Sequence, residues 1–95
     1  MPAWTWDSRK NRTNQAKHRL SFELAQGVFD DPLALSRLDY AAEEERWTTI
    51  GTVGRVVILV VHTWRELESG EYGGRIISAR KATRYEKKTY EEGNF

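Results

Sequence analysis

The sequence has no cysteine. Disulfides and thiolate metal sites are therefore excluded. Histidine is almost as scarce, with two in 95 residues. A zinc site would have to be completed by carboxylates, and neither a metal nor a cofactor is expected. Long apolar runs are missing too. The longest, Val56 to Val61, falls far short of the about 20 residues that span a bilayer. The opening M-P-A-W-T-W-D lacks the apolar stretch of a signal peptide. These absences lead to the expectation of one soluble, cytoplasmic domain over residues 1–95, with no membrane partner.

Charge is abundant but nearly balanced, at +1 overall. Its distribution is uneven. Residues 1–19 carry a net +4, residues 20–74 a net −6 and residues 75–95 a net +3. Two basic ends flank an acidic middle. A polyanion would find a basic surface only where folding brings those ends together.

W-T-W-D alternates aromatic and polar residues, as a short strand does, and Asp7 suits a helix N-cap. A first helix is expected over Ser8 to His18. It has almost no apolar stripe, and Asn11, Asn14, Lys17 and His18 share one face. Such a helix cannot be held by hydrophobic burial alone. The asparagines are expected to lock it to neighbouring backbone. A second helix should follow Ser21, with Leu20 as its hydrophobic staple and Phe22, Ala25, Val28 and Phe29 as its apolar face. Asp31-Pro32 ends it.

Strand patterns come next. Leu33 to Tyr40 is a weak strand and Ala41 to Glu45 an acidic turn. Arg46 to Thr52 and Arg55 to Trp64 read as a hairpin across Val53-Gly54. V-V-I-L-V-V is apolar on both faces, as a covered central strand is. Glu66 to Gly74 reads as a loop. Arg75 to Arg80 reads as a last strand, with Ile77 and Ala79 on one face and Ile76, Ser78 and Arg80 on the other. In T-R-Y-E, Thr83 and Glu86 form a capping box for a terminal helix closed by Gly93. The class is α+β: a small antiparallel sheet with two N-terminal helices and a short C-terminal helix, the helices packed on one face.

W-D-x-x-K-N-x-x-N-x-x-K-H, S-F-E-x-A-x-x-V-F-D-D-P, E-E-R-W-x-x-I-G and I-I-S-A-R-K-A-T-x-x-E-x-x-x-Y follow one another from Trp6 to about Tyr90. Together these resemble the BrnT toxins of type II toxin–antitoxin systems. The resemblance implies a RelE-like fold and a metal-independent endoribonuclease that blocks translation. It also implies a small BrnA-type antitoxin that caps the toxin in a hetero-oligomer. DNA would be reached only indirectly, through that complex. Two departures stand out. Arg19 follows Lys17-His18 where the family often has glycine, and the segment Glu66 to Gly74 is longer than usual.

Metal-free RNA cleavage needs a proton taken from the attacking 2′-hydroxyl and one given to the leaving 5′-oxygen. It also needs cationic donors aimed at the phosphorane charge. Arg80, at a strand end, is the first candidate for the phosphate; its bland alternative is a salt bridge to an acid of helix 2 or the meander. Arg75 would lie on the opposite strand face, so one of the two would be structural or turned to the antitoxin. His18 is the candidate proton carrier and Lys17 a phosphate contact. Arg65, Arg84, Lys87 and Lys88 are candidate RNA-backbone contacts. Tyr85 is a candidate for base stacking, although Tyr85 and Tyr90 more naturally dock the helix on the sheet. His62 is read as a satisfied sheet histidine. Two rival readings stand beside the ribonuclease. One is a non-catalytic binder of RNA or of a protein target; the other is an interaction module that meets only its antitoxin.

Overall fold

The computed structural model describes residues 4–39 and 44–95. The chain begins with β1 (Trp4–Thr5), α1 (Ser8–His18) and α2 (Phe22–Ala25), and a 3-10 turn, Gln26–Asp30. It continues through β2 (Leu35–Asp39), β3 (Arg46–Val53), β4 (Val56–His62), β5 (Arg65–Glu66) and β6 (Tyr72–Lys81), and ends in α3 (Arg84–Glu91). The sheet runs β1-β6-β4-β3-β2, with β5 paired to the start of β6. Every pairing is antiparallel except β1 with β6. The expected α+β class holds. No helix among the described residues is long and apolar enough to cross a membrane.

Caps fix the helices where local chemistry says they should. The Asp7 carboxylate accepts from the Arg9 and Lys10 amides, which hold its pKa below the usual range. Ser21 caps α2 by accepting from the Leu24 amide. After one α-turn the backbone tightens into the 3-10 turn, so the expected second helix is only partly α. The tightening comes where Gly27 passes Val53: a Cβ at residue 27 would lie 3.1 Å from a Val53 methyl.

β4 is the central strand. Ile58, Leu59 and Val60 are all buried, so both its faces are covered. On one face Ile58, Val60, Ile76 and Ala79 pack with Leu20, Phe22, Ala25 and Val28. Each large side chain so buried contributes about 1.5–3 kcal/mol. The other face carries Ile50 and Leu59, which are cross-strand partners. That face is covered by α3, through Thr52 to Tyr90 and Arg80 to Glu86. The expectation that all helices share one face is therefore corrected. The capping box fixes where α3 starts but not which side of the sheet receives it.

Three strand expectations also change. The β3–β4 turn is Gly54-Arg55 rather than Val53-Gly54, because Val53 pairs with Val56. Gly54 has φ +62° and Arg55 does not share it, the sign pattern of a II′ turn. The expected loop Glu66 to Gly74 is shorter than read, since Arg65 pairs with Gly73 and Glu66 with Tyr72, which leaves residues 67–71 as the turn between β5 and β6. Finally, β6 is bulged: His62 pairs with Ile76, but Val61 pairs with Ser78. One extra residue reverses the parity. Ile76 joins Ala79 in the core, and Ile77 and Ser78 are half-buried. The acidic turn Ala41 to Glu45 falls mostly outside the described residues.

Candidate nucleic-acid interface

α1 is polar yet firmly placed, because two asparagines replace the missing apolar stripe. The Asn11 amide oxygen accepts from the Phe22 amide, and its NH2 donates to Glu23. Asn14 closes the free edge of β6: its NH2 donates to the Ala79 carbonyl at 2.8 Å and its oxygen accepts from the Ala79 amide at 3.2 Å. A second donor hydrogen reaches Leu20. Asn14 thus stands in for a neighbouring strand, continuing the edge that β1 pairs at Gly74 and Arg75.

β1 runs parallel to β6 and α1 continues in the same direction. Lys17 and His18 lie one turn beyond Asn14, so they sit level with the C-terminal end of β6. Arg19 closes the helix in the left-handed region, with φ 56°, donating its amide to Gln15. That conformation is one a glycine adopts freely and a residue with a Cβ does not. Lys17 and Arg19 are exposed and His18 is half-buried.

Lys81 is the last residue of β6 and pairs with Ile58, so it shares the α1 side of the sheet. Arg80 pairs with Leu59 and points to the α3 side. Its partner is an acid of α3, not of helix 2 or the meander. Nη1 lies 2.7 Å from Oε1 of Glu86, and Nη2 lies 2.9 Å from Oε2. Nη1 also donates to the Lys81 carbonyl. Three of the five guanidinium N–H groups are used and two remain. The fork holds the Glu86 carboxyl down at about 2, and Glu86 raises Arg80 in return. Glu86 additionally accepts from the Thr83 amide, completing the capping box. Arg84, Lys87 and Lys88 are exposed on α3.

The two tyrosines behave differently. Tyr90 docks α3: its hydroxyl donates to Asp31 at 2.5 Å and accepts from Thr52 at 2.9 Å. Burial raises the Asp31 carboxyl, but hydrogen bonds from Tyr90, Leu33 and Thr52 outweigh it and keep the group low. Burial and Asp31 together push the Tyr90 phenol up. Tyr85 does not dock at all and stands 75% exposed beside Arg84.

The other two candidates lie elsewhere. Arg75 is bound to Glu44 at 2.6 Å, at the far end of β6. The bulge puts Arg75 and Arg80 on one face after all, but five strand residues, about 16 Å, separate them. Arg65 pairs further back still, at Gly73, so it shares no wall with Arg80. His62 is fully buried: its Nδ1–H donates to the Thr63 carbonyl and its Nε2 accepts from Thr49. Burial holds this imidazole down at about 4, neutral at pH 7. Sequence reasoning missed Lys81 and Arg19 as members of the basic end. K-H-R and A-R-K are visible as text, but the alignment of their segments depends on Asn14.

The chain is a small α+β protein in which Asn14 ties α1 along the edge of β6, so that Lys17 and Arg19 follow it towards the strand end that carries Lys81. The sequence model of the BrnT ribonuclease toxins of type II toxin–antitoxin systems matches residues 6–86. The chain belongs to this family of ribonuclease toxins, whose type II character implies a protein antitoxin. No curated protein matches the chain.

Proposed function

We propose that this toxin is a metal-independent endoribonuclease that inhibits translation, on a RelE-like scaffold. A BrnA-type antitoxin neutralises it. The observation that supports the reading is the Asn14 clamp on Ala79, which sets the α1 end bearing Lys17, His18 and Arg19 beside the β6 end bearing Arg80 and Lys81. RNA carries its own nucleophile, so the chemistry asks only for proton transfer and fixed positive charge. His18 takes the proton of the 2′-hydroxyl as the 2′-oxygen forms its bond to phosphorus. The P–O5′ bond breaks, and the leaving 5′-oxygen takes a proton from solvent water. The two free donors of Arg80, oriented by Glu86, face the phosphorane charge. Lys17 and Lys81 hold the phosphate on the α1 side. Arg84, Lys87 and Lys88 follow the backbone, and the exposed Tyr85 stacks on a base. Arg75 and Arg65 are distant from this centre and are assigned to peripheral contacts.

The test is cleavage of a defined RNA oligomer by purified protein in excess EDTA, beside Arg80→Ala and His18→Ala. Products ending in a 2′,3′-cyclic phosphate, reduced roughly 10²–10³-fold by either substitution, are expected. Equal cleavage by all three proteins would remove both residues from the mechanism. RNA binding without cleavage, on isolated RNA and on ribosomes, would leave the non-catalytic binder.

A further inference from the structure

The helix side of the sheet, the face opposite the Arg80 side chain, holds a cavity of about 820 Å³ that runs from Trp4, Trp64 and Tyr72 to Asp31 and Ala34. Its character is opposite to that of the basic end. Glu23, Asp30, Asp31 and Glu71 line it, and no described lysine or arginine does, in a chain with fifteen bases. Trp4, Phe29, Trp64 and Tyr72 supply aromatic surface. A phosphate chain is excluded from such a site by charge alone.

The cavity floor adds an independent feature. Ser36 Oγ, Thr49 Oγ1 and His62 Nε2 form a chain with two links of 2.6 Å. A carbonyl cannot donate, so the Thr63 oxygen fixes the imidazole hydrogen on Nδ1. Nε2 must then accept, and Thr49 must donate to it. Thr49 oxygen is left to accept from Ser36. The Ser36 hydrogen is thereby spent inward, and its exposed oxygen offers the cavity only lone pairs. The locked relay turns a neutral hydroxyl into a dedicated acceptor.

The carboxylates add to this. Both oxygens of Asp31 are engaged, Oδ1 by the Leu33 amide and Oδ2 by the Thr52 amide and Tyr90. Glu23 is held by Asn11, which engages one oxygen. Asp30 and Glu71 have no side-chain partner among the described residues. The cavity therefore presents many acceptors, two uncommitted negative charges and π faces. A planar cation with several N–H donors, able to stack on Trp64 or Tyr72, is the complement.

We infer that this cavity receives an arginine side chain of the protein antitoxin. The inference rests on the type II assignment for the identity of the partner. It places the antitoxin's anchor beside β2 and β3, across the sheet from the edge strand β6 and separate from the residues assigned to RNA.

Two linked measurements test it. The isotope-labelled chain is titrated with N-acetyl-arginine methylamide and, separately, with the uncharged isostere N-acetyl-citrulline methylamide. Shifts confined to the Trp64 indole N–H and to the Ser36 and Thr49 amides are expected with arginine alone. Glu71→Gln, on an exposed segment, and Asp30→Asn/Glu71→Gln, with dispersed spectra as the check on folding, should lose them. The same double variant should bind the antitoxin at least roughly 30-fold more weakly, while its RNA cleavage in the free state is unchanged. Equal shifts with citrulline, or unchanged antitoxin affinity, would overturn the inference. Loss of self-association in its place would assign the cavity to a second copy of the chain and equally overturn it. Cleavage by the free wild type decides the ribonuclease reading separately.

Discussion

Arg80 and Glu86 meet fork to fork across the end of β6 and the first turn of α3, with N–O distances of 2.7 and 2.9 Å. One carboxylate thus anchors a helix cap and orients the cation assigned to the phosphate. The pair links the stability of α3 to the geometry of the proposed site.

Glu86→Gln should reduce RNA cleavage by roughly 10–100-fold, because aim rather than charge is lost. Arg80→Ala should cost more. The Glu86 carboxyl sits at about 2 against its ordinary 4.5. A depressed acid contributes fully above its unfolded value and loses that contribution as pH falls through the folded one. Thermal unfolding followed from pH 5 to 2 should therefore show a shallower acid slope in Arg80→Ala than in the wild type. Parallel slopes would mean that the pair contributes nothing to stability.

Asn14→Ala should destabilise the fold by about 3 kcal/mol. It strips the Ala79 amide and two carbonyls of their partners inside the protein, at about 1–3 kcal/mol for an unsatisfied group. Denaturant unfolding measures the loss. Hydrogen exchange at the Ala79 amide should rise selectively. If stability changes by less than about 0.5 kcal/mol, water has replaced the side chain and the edge clamp is dispensable.

His62 is neutral and buried, with its titration displaced from 6.5 down to about 4. The unfolded chain takes up this proton in the window where the folded chain refuses it, so stability falls as pH drops from 6.5 towards 4. The whole window corresponds to about 3 kcal/mol. An NMR titration should find the His62 ring with hydrogen on Nδ1 throughout the neutral range. Protonation near 6.5 would show the relay to be solvated and would unlock Ser36.

Arg19→Gly should stabilise the protein by up to about 1 kcal/mol, since a left-handed residue with a Cβ costs roughly that much. If Arg19 belongs to the RNA edge, the same variant should bind RNA more weakly and with a shallower salt dependence. A more stable variant with unchanged RNA binding would make Arg19 a local departure with no part in the interface.

The sequence alone determined what depends on neighbours within a turn or two. Asp7, Ser21 and Thr83 start the helices where their side-chain oxygens can reach the next free amides. The β-branched run at Val56 fixed a central strand, and the scattered family matches fixed the toxin class. Even the role of Asn11 and Asn14 was legible, because a helix with no apolar face must be held by polar contacts. The tertiary structure decided everything that depends on parity or on a partner distant in sequence. The bulge at Ile77 needs β4 beside β6 to exist, and it alone reverses which residues face the core. Arg80 chose Glu86 because α3 lies on its face of the sheet. Tyr90 docked and Tyr85 did not, for the same reason. The acidic cavity gathers Glu23, Asp30, Ser36, Thr49, Trp64 and Glu71 from six separate segments. Sequence periodicity reports only which face of its own element a residue occupies. Which faces meet is set by packing between segments, and only the fold supplies that.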